Sequence, residues 1–160
     1  KIKLLGRAIK MDGGKVCAYV APHLVPDESP LANVEDVFNA ISVKGDAIGD
    51  VMFYGRGAGK LPTASAVVAD VMDAAKHLKT KKYISWAEGG PDAVYSIDEV
   101  KNRWYVRTKV DTAAPEGAQM LSNPDDKACS AFITAEALSE KELRIKLSGT
   151  EILAAYRVLD

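Results

Sequence analysis

Apolar residues that first alternate, then recur at helical spacing, then alternate again predict an α+β chain. The expected architecture is an antiparallel-rich sheet with one long helix, followed by a smaller α+β sandwich. Two observations carry the first half: paired strand-like runs around turn sequences, and Ala64, Val67, Val68, Val71, Ala75 and Leu78 at the i, i+3, i+4, i+7 spacing of one helix face. A third carries the second half, where short strand-like runs alternate with helix-start and helix-stop signals.

Ile2–Ile9 and Lys15–Ala21 flank Met11-Asp12-Gly13-Gly14, a turn signal, and read as a hairpin. Pro22, Pro26 and Pro30 then predict an extended, irregular passage from Pro22 to Leu31. Val37–Val43 and Ile48–Tyr54 form a second strand pair around Lys44–Ala47, with the turn at Gly45-Asp46. The helix is expected over Thr63–Leu78, with a basic end that suits its C-terminal dipole. Lys79 to Ile97 is a polar passage holding Gly89-Gly90-Pro91, and the domain boundary is placed there. Beyond it, Arg103–Val110 reads as a strand, Pro115–Ser122 as a short helix and Lys127–Leu138 as a strand. Ser139-Glu140-Lys141-Glu142 is a capping box for a helix that Gly149 stops, and Glu151–Leu159 is the last strand. The second half is therefore β-α-β-α-β.

Composition sets outer bounds. The chain has 160 residues, 48% hydrophobic and 27% charged, with a net charge of −1. That balance is ordinary for a soluble globular protein and supplies no basic footprint for nucleic acid and no polybasic membrane anchor. No apolar run approaches the ~18 residues of a transmembrane helix. Cys17 and Cys129 lie far apart in apolar, strand-like segments and read as reduced, buried thiols of a cytoplasmic protein. Lys1 runs straight into an apolar strand, with no Met and no leader, as expected of a piece of a longer protein.

Tyr54 to Asp70, YGRGAGKLPTASAVVAD, is the stretch with chemistry in it. Gly55, Gly57 and Gly59 remove side chains where something must approach the backbone, and Pro62 and Thr63 are helix-start signals. The loop thus delivers amides to a helix N-terminus, an arrangement that favours an anion or a nucleotide phosphate. It is not a P-loop: three residues separate Gly55 from Gly59, and Leu61 stands where a Ser or Thr should bind Mg²⁺. Nor is it G-x-G-x-x-G, because Lys60 takes the third glycine's place. Tight packing of helix on sheet explains the small residues equally well. Arg56 suits a phosphate, a carboxylate or a surface ion pair. His23 and His77 cannot assemble a metal cluster and read as structural. Asp46 is expected to cap its turn, and Asp73 to pair with Lys76 or His77 on the helix surface. No residue is assigned as catalytic or metal-binding. Trp86 and Trp104 are expected to bury the linker against the second domain.

The segments IKLLGRAI (2–9), APHLVPDESPLANV (21–34), FNAISVKGDAIGDVMFYGRGAG (38–59) and LPTASAVVADV (61–71) resemble, in order and spacing, the C-terminal part of the catalytic region of homoserine dehydrogenases. That resemblance implies that residues 1–80 end the substrate and dimerisation sheet and carry a loop and helix that complete the nucleotide-binding domain. It implies that Gly59, with Gly57 and Ala58 beside it, borders the nicotinamide of NADP or NAD. Ser29 stands where many relatives have histidine.

After a linker, 81–102, residues 103–160 resemble an ACT domain, a ferredoxin-like amino-acid-sensing module, through WYVRTKVD (104–111), AFITAEALSEKELRIKLSG (131–149) and EILAAYRVLD (151–160). The family's Asp-x-Pro-Gly turn is replaced by Asp111-Thr112-Ala113-Ala114-Pro115-Glu116-Gly117, which places effector binding in question. The parent enzyme implied would interconvert aspartate 4-semialdehyde and homoserine, on the way to threonine, methionine and isoleucine. The Rossmann domain and catalytic lysine implied by the family precede Lys1, so the 160 residues alone are expected to be inactive. Expected partners are that Rossmann domain, further copies in a homodimer or higher homo-oligomer, and an amino-acid effector, with no nucleic acid or membrane. The competing reading is a stand-alone ACT-type amino-acid-binding module.

Overall fold

The computed structural model describes residues 1–81, 85, 88–109, 113–122 and 128–160. These contacts gather into two compact units, Lys1–Pro26 with Gly89–Asp160, and Asp27–Glu88. The division differs from the boundary placed near residue 80, because strand pairing links the first hairpin to the last sixty residues.

In the first unit, β1 (Ile2–Lys10) and β2 (Val16–Leu24) form the expected antiparallel hairpin, with Gly13 and Gly14 taking positive φ in its turn. Pro22 does not end β2, contrary to the irregular passage expected there. At Pro22 the strand still has an open edge, since β8 (Ile152–Val158) pairs with it in parallel only at His23 and Leu24. β5 (Trp104–Lys109), β6 (Gln119–Leu121) and β7 (Cys129–Ile133) complete a six-stranded sheet in the order β1-β2-β8-β5-β7-β6.

The helix expected over Pro115–Ser122 is absent. Gly117 at φ 75° and the Ala118 N–H bonded back to the Pro115 carbonyl close a turn, and the next three residues pair with β7 as β6. A left-handed residue three places in stops a nascent helix, and Met120 opposite Phe132 extends the sheet instead. Among the described residues, the second half therefore holds one helix, α2 (Glu140–Lys146). Its capping box forms as the sequence predicts, Ser139 Oγ accepting from the Glu142 N–H and the Glu142 carboxylate from the Ser139 N–H.

One face of this sheet carries the core. Trp104, Val106, Phe132, Leu138, Leu143 and Leu147 are buried together, and the Trp104 indole N–H donates to the Leu138 carbonyl at 2.8 Å. Trp104 is thus a core residue, whereas Trp86 lies outside the described residues. Cys17 is a buried free thiol, as expected; Cys129 is also a free thiol but only half-buried, a correction to the expectation that it is buried.

The second unit consists of a 3-10 turn at Pro30–Asn33, the hairpin β3 (Phe38–Gly45) and β4 (Gly49–Arg56), and α1 (Lys60–Lys76). Its turn is where the sequence places it: Asp46 Oδ1 accepts from the Ala47 N–H, and Gly49 takes φ 74°. α1 begins three residues earlier than expected, with Pro62 in its first turn where no N–H is needed. None of its residues is buried. No helix among the described residues is long and apolar enough to cross a membrane.

Candidate functional site

The three alternate glycines occupy three different situations. Gly59 is the N-cap of α1 with φ 119° and ψ 155°, a conformation closed to side-chain-bearing residues at little cost. Gly57 has ordinary backbone, but a Cβ there would stand 2.6 Å from Asn39 Nδ2, so a side chain at 57 would make the Asn39 amide shift from its present position. Gly55 answers neither demand. Its φ is not positive, and among the described residues nothing lies within 4 Å of where its Cβ would stand. Its backbone is open to an approaching group.

The helix that follows is uncapped by any side chain. Thr63 N–H is the first to bond back, to the Gly59 carbonyl at 3.1 Å. The Lys60 and Leu61 amides therefore face outward at the positive end of a seventeen-residue helix, an environment favourable to electron-rich groups. Ala58 is exposed between the two glycines.

The hairpin register sorts the surroundings by face. Phe38 opposite Arg56, Ala40 opposite Tyr54 and Lys44 opposite Asp50 lie on one side; Asn39 opposite Gly55, Ile41 opposite Phe53 and Val43 opposite Val51 lie on the other. Among the described residues Arg56 makes no ion pair. Its guanidinium sits 4.9 Å over the Phe38 ring, which stacks on Tyr54 at 5.0 Å. All the charge of the hairpin strands is on that face, and the Asn39 face is neutral. Sequence reasoning missed Asn39, although counting back from the Gly45-Asp46 turn places it across from Gly55.

In the first unit the titratable groups serve structure. His23 is fully buried; Nδ1 bonds the Ala21 carbonyl at 2.9 Å and Nε2 faces the Tyr19 hydroxyl at 3.4 Å. Burial, more than the nearby Arg7 and Arg157 charges, holds its pKa below 6.5, so the ring is neutral. Arg157 lies 4.6 Å over Trp104 and 5.4 Å over Tyr19 and donates from Nη2 to Glu140 at 3.1 Å, its Nε without a partner. The Arg144 hydrogen bond, with help from Arg157, lowers the Glu140 pKa. His77 pairs with Asp73 on the surface of α1, as expected. No metal-binding group of His, Cys, Asp and Glu occurs among the described residues.

The chain is thus an α+β protein in which a glycine-rich loop runs into a helix whose first turn no side chain caps. The sequence profile of the homoserine dehydrogenase family matches residues 1–72. The homoserine dehydrogenase of Pseudomonas aeruginosa is 32% identical over the whole chain, which spans 38% of that relative. That of Bacillus subtilis is 46% identical over 49% of the chain and 18% of the relative. The crystal structure of Staphylococcus aureus homoserine dehydrogenase at pH 7.0 superposes on all of this chain, over 42% of its own, with a TM-score of 0.71 and 33% identity. The chain belongs to the homoserine dehydrogenase family. Relatives of that name are NAD(P)-dependent oxidoreductases, and the reading as a stand-alone amino-acid-binding module is not favoured.

Proposed function

We propose that this chain is part of a homoserine dehydrogenase that interconverts aspartate 4-semialdehyde and homoserine in the cytoplasm, in the biosynthesis of threonine and methionine. The observation that supports it best is the open backbone at Gly55, two residues ahead of the Gly57–Gly59 loop and within the family's matching segment. NADP or NAD, when bound, supplies or accepts the hydride. Gly57, Ala58 and Gly59 border its nicotinamide end, and the dinucleotide turn and catalytic lysine belong to the rest of the longer enzyme. Residues 103–160 act as an ACT-like domain, and the chain assembles with a second copy and with its own Rossmann domain.

Effector binding at the ACT-like domain is weak or absent in this reading. Glu116, beside Gly117, places a carboxylate where an amino acid's own carboxylate would dock. Asp111 and Thr112 of the same turn lie outside the described residues. Calorimetric titration with threonine should give no dissociation constant below a millimolar.

The test of the cofactor loop is Ala58→Leu in an enzyme of the relatives' full length carrying this segment. Ala58 is exposed, so folding is untouched while the added bulk blocks the loop, and the KM for NADPH should rise at least tenfold. An unchanged KM refutes the assignment. The 160 residues alone should show no aspartate-semialdehyde-dependent NADPH oxidation.

A further inference from the structure

We infer that Asn39 is a cofactor-contacting residue, its side-chain amide pairing with the primary carboxamide of the nicotinamide ring; the inference rests on the cofactor reading of the Gly57–Gly59 loop and deepens it. Three observations converge. Asn39 stands directly opposite Gly55 and its Nδ2 reaches to where a Gly57 side chain would be, so it borders two of the three glycines. It is exposed, and among the described residues its one hydrogen bond is a long 3.4 Å donation from Nδ2 to the Val37 carbonyl. Oδ1 and the second N–H are left to a ligand.

The chemistry of the face selects which part of a dinucleotide fits. Lys44, Asp50 and Arg56 are all on the opposite side of the hairpin, so nothing on the Asn39 side of the strands neutralises a phosphate. Ile41 and Phe53 beside it are apolar. A neutral amide among apolar and glycine surface suits an uncharged, flat group that both donates and accepts. The ring carboxamide is that group: its NH2 can donate to Oδ1 while its carbonyl accepts from Nδ2. Gly55, which no contact or backbone angle requires, is then explained by the close approach of the ring.

Equilibrium binding to the full-length enzyme carrying this segment decides the matter without turnover. The probes are NADP⁺ and its 3-acetylpyridine analogue, which keeps the carbonyl but replaces NH2 with methyl, both titrated by calorimetry. The unsubstituted enzyme should bind NADP⁺ at least fivefold more tightly, the worth of one hydrogen bond. Asn39→Leu, similar in size but without polar atoms, should shrink that ratio to within twofold, whereas Asn39→Asp, which keeps the acceptor, should preserve it. Should Asn39→Leu fail to fold, Asn39→Ser, too short to reach, makes the same comparison. A ratio that survives removal of the amide, or that is absent from the unsubstituted enzyme, overturns the inference. Ala58→Leu separates the two readings: it should weaken both dinucleotides and leave their ratio intact, and if it weakens neither, the loop assignment itself falls.

Discussion

The two compact units solve the problem of apolar surface in opposite ways. The first buries it internally: Trp104, Val106, Phe132, Leu138, Leu143 and Leu147 form a closed cluster with α2 over one sheet face. The second hides fully only Ala32 among its described residues, while Val68 on α1 is 57% exposed and Phe53 on β4 64%. Both obey the same sequence periodicities. Periodicity therefore tells which face is apolar, but not whether the chain itself supplies the cover. Large apolar faces left open mark interaction surfaces, and here they flank the loop assigned to the cofactor.

The strongest way to break this contrast is to empty the closed core. Phe132 is fully buried, and Phe132→Ala should destabilise the first unit by about 3–5 kcal/mol, as aromatic truncations in packed cores do. Urea unfolding followed by Trp104 fluorescence measures it. A loss below about 1 kcal/mol would mean that the cluster is not the unit's source of stability.

Next in size is the ion pair at the end of that core. Glu140→Gln leaves the Arg157 guanidinium buried between Trp104 and Tyr19 with no opposite charge. Glu140 is a third exposed and shared with Arg144, which lowers the cost to about 1–2 kcal/mol. Because the folded carboxylate's pKa is depressed, its contribution is complete above about pH 4.5 and fades as pH falls through the lower folded value. Arg144→Ala, removing only the exposed partner, should cost less than half as much.

How much of this was legible beforehand follows from the range of the interactions. The capping box at Ser139, the hairpin turns and the helix in α1 were readable because each depends on residues a few positions apart. The pairing of β2 with β8 joins residues 134 positions apart at His23 and Arg157, and no local pattern announces it. β6 was mistaken for a helix because three residues carry too little period to distinguish the two. The loop glycines are visible as a group, but their separate surroundings are not: a Cβ at Gly57 would meet Asn39, which stands on β3 eighteen residues away.

A smaller effect sharpens the electrostatic side of the first unit. His23 is neutral in the fold, while the unfolded ring takes up a proton near pH 6.5. Stability is then complete above pH 6.5 and falls as pH drops below it, by at most about 1.4 kcal/mol per pH unit for one proton, until the depressed folded pKa is reached. This window opens at a higher pH than that of Glu140. Unfolding free energies between pH 7.5 and 5 should slope in the unsubstituted chain and lie flat in His23→Gln; equal slopes in both would place the proton uptake elsewhere.

The smallest effect is expected on α1, and it tests the contrast most directly. Val68 loses almost no contact when truncated in an isolated chain, so Val68→Ala should change stability by less than about 0.5 kcal/mol at low concentration. The same substitution should cost more as concentration rises if a second copy covers this helix, because association adds to the stability of the folded state by mass action. Thermal unfolding at two concentrations a hundredfold apart, paired with sedimentation of the same samples, separates these regimes. A large effect in the dilute monomer would show that α1 is packed within its own chain and would erase the difference between the two units. A negligible effect at both concentrations, with the chain sedimenting as a dimer, would move the homodimer contact away from this helix.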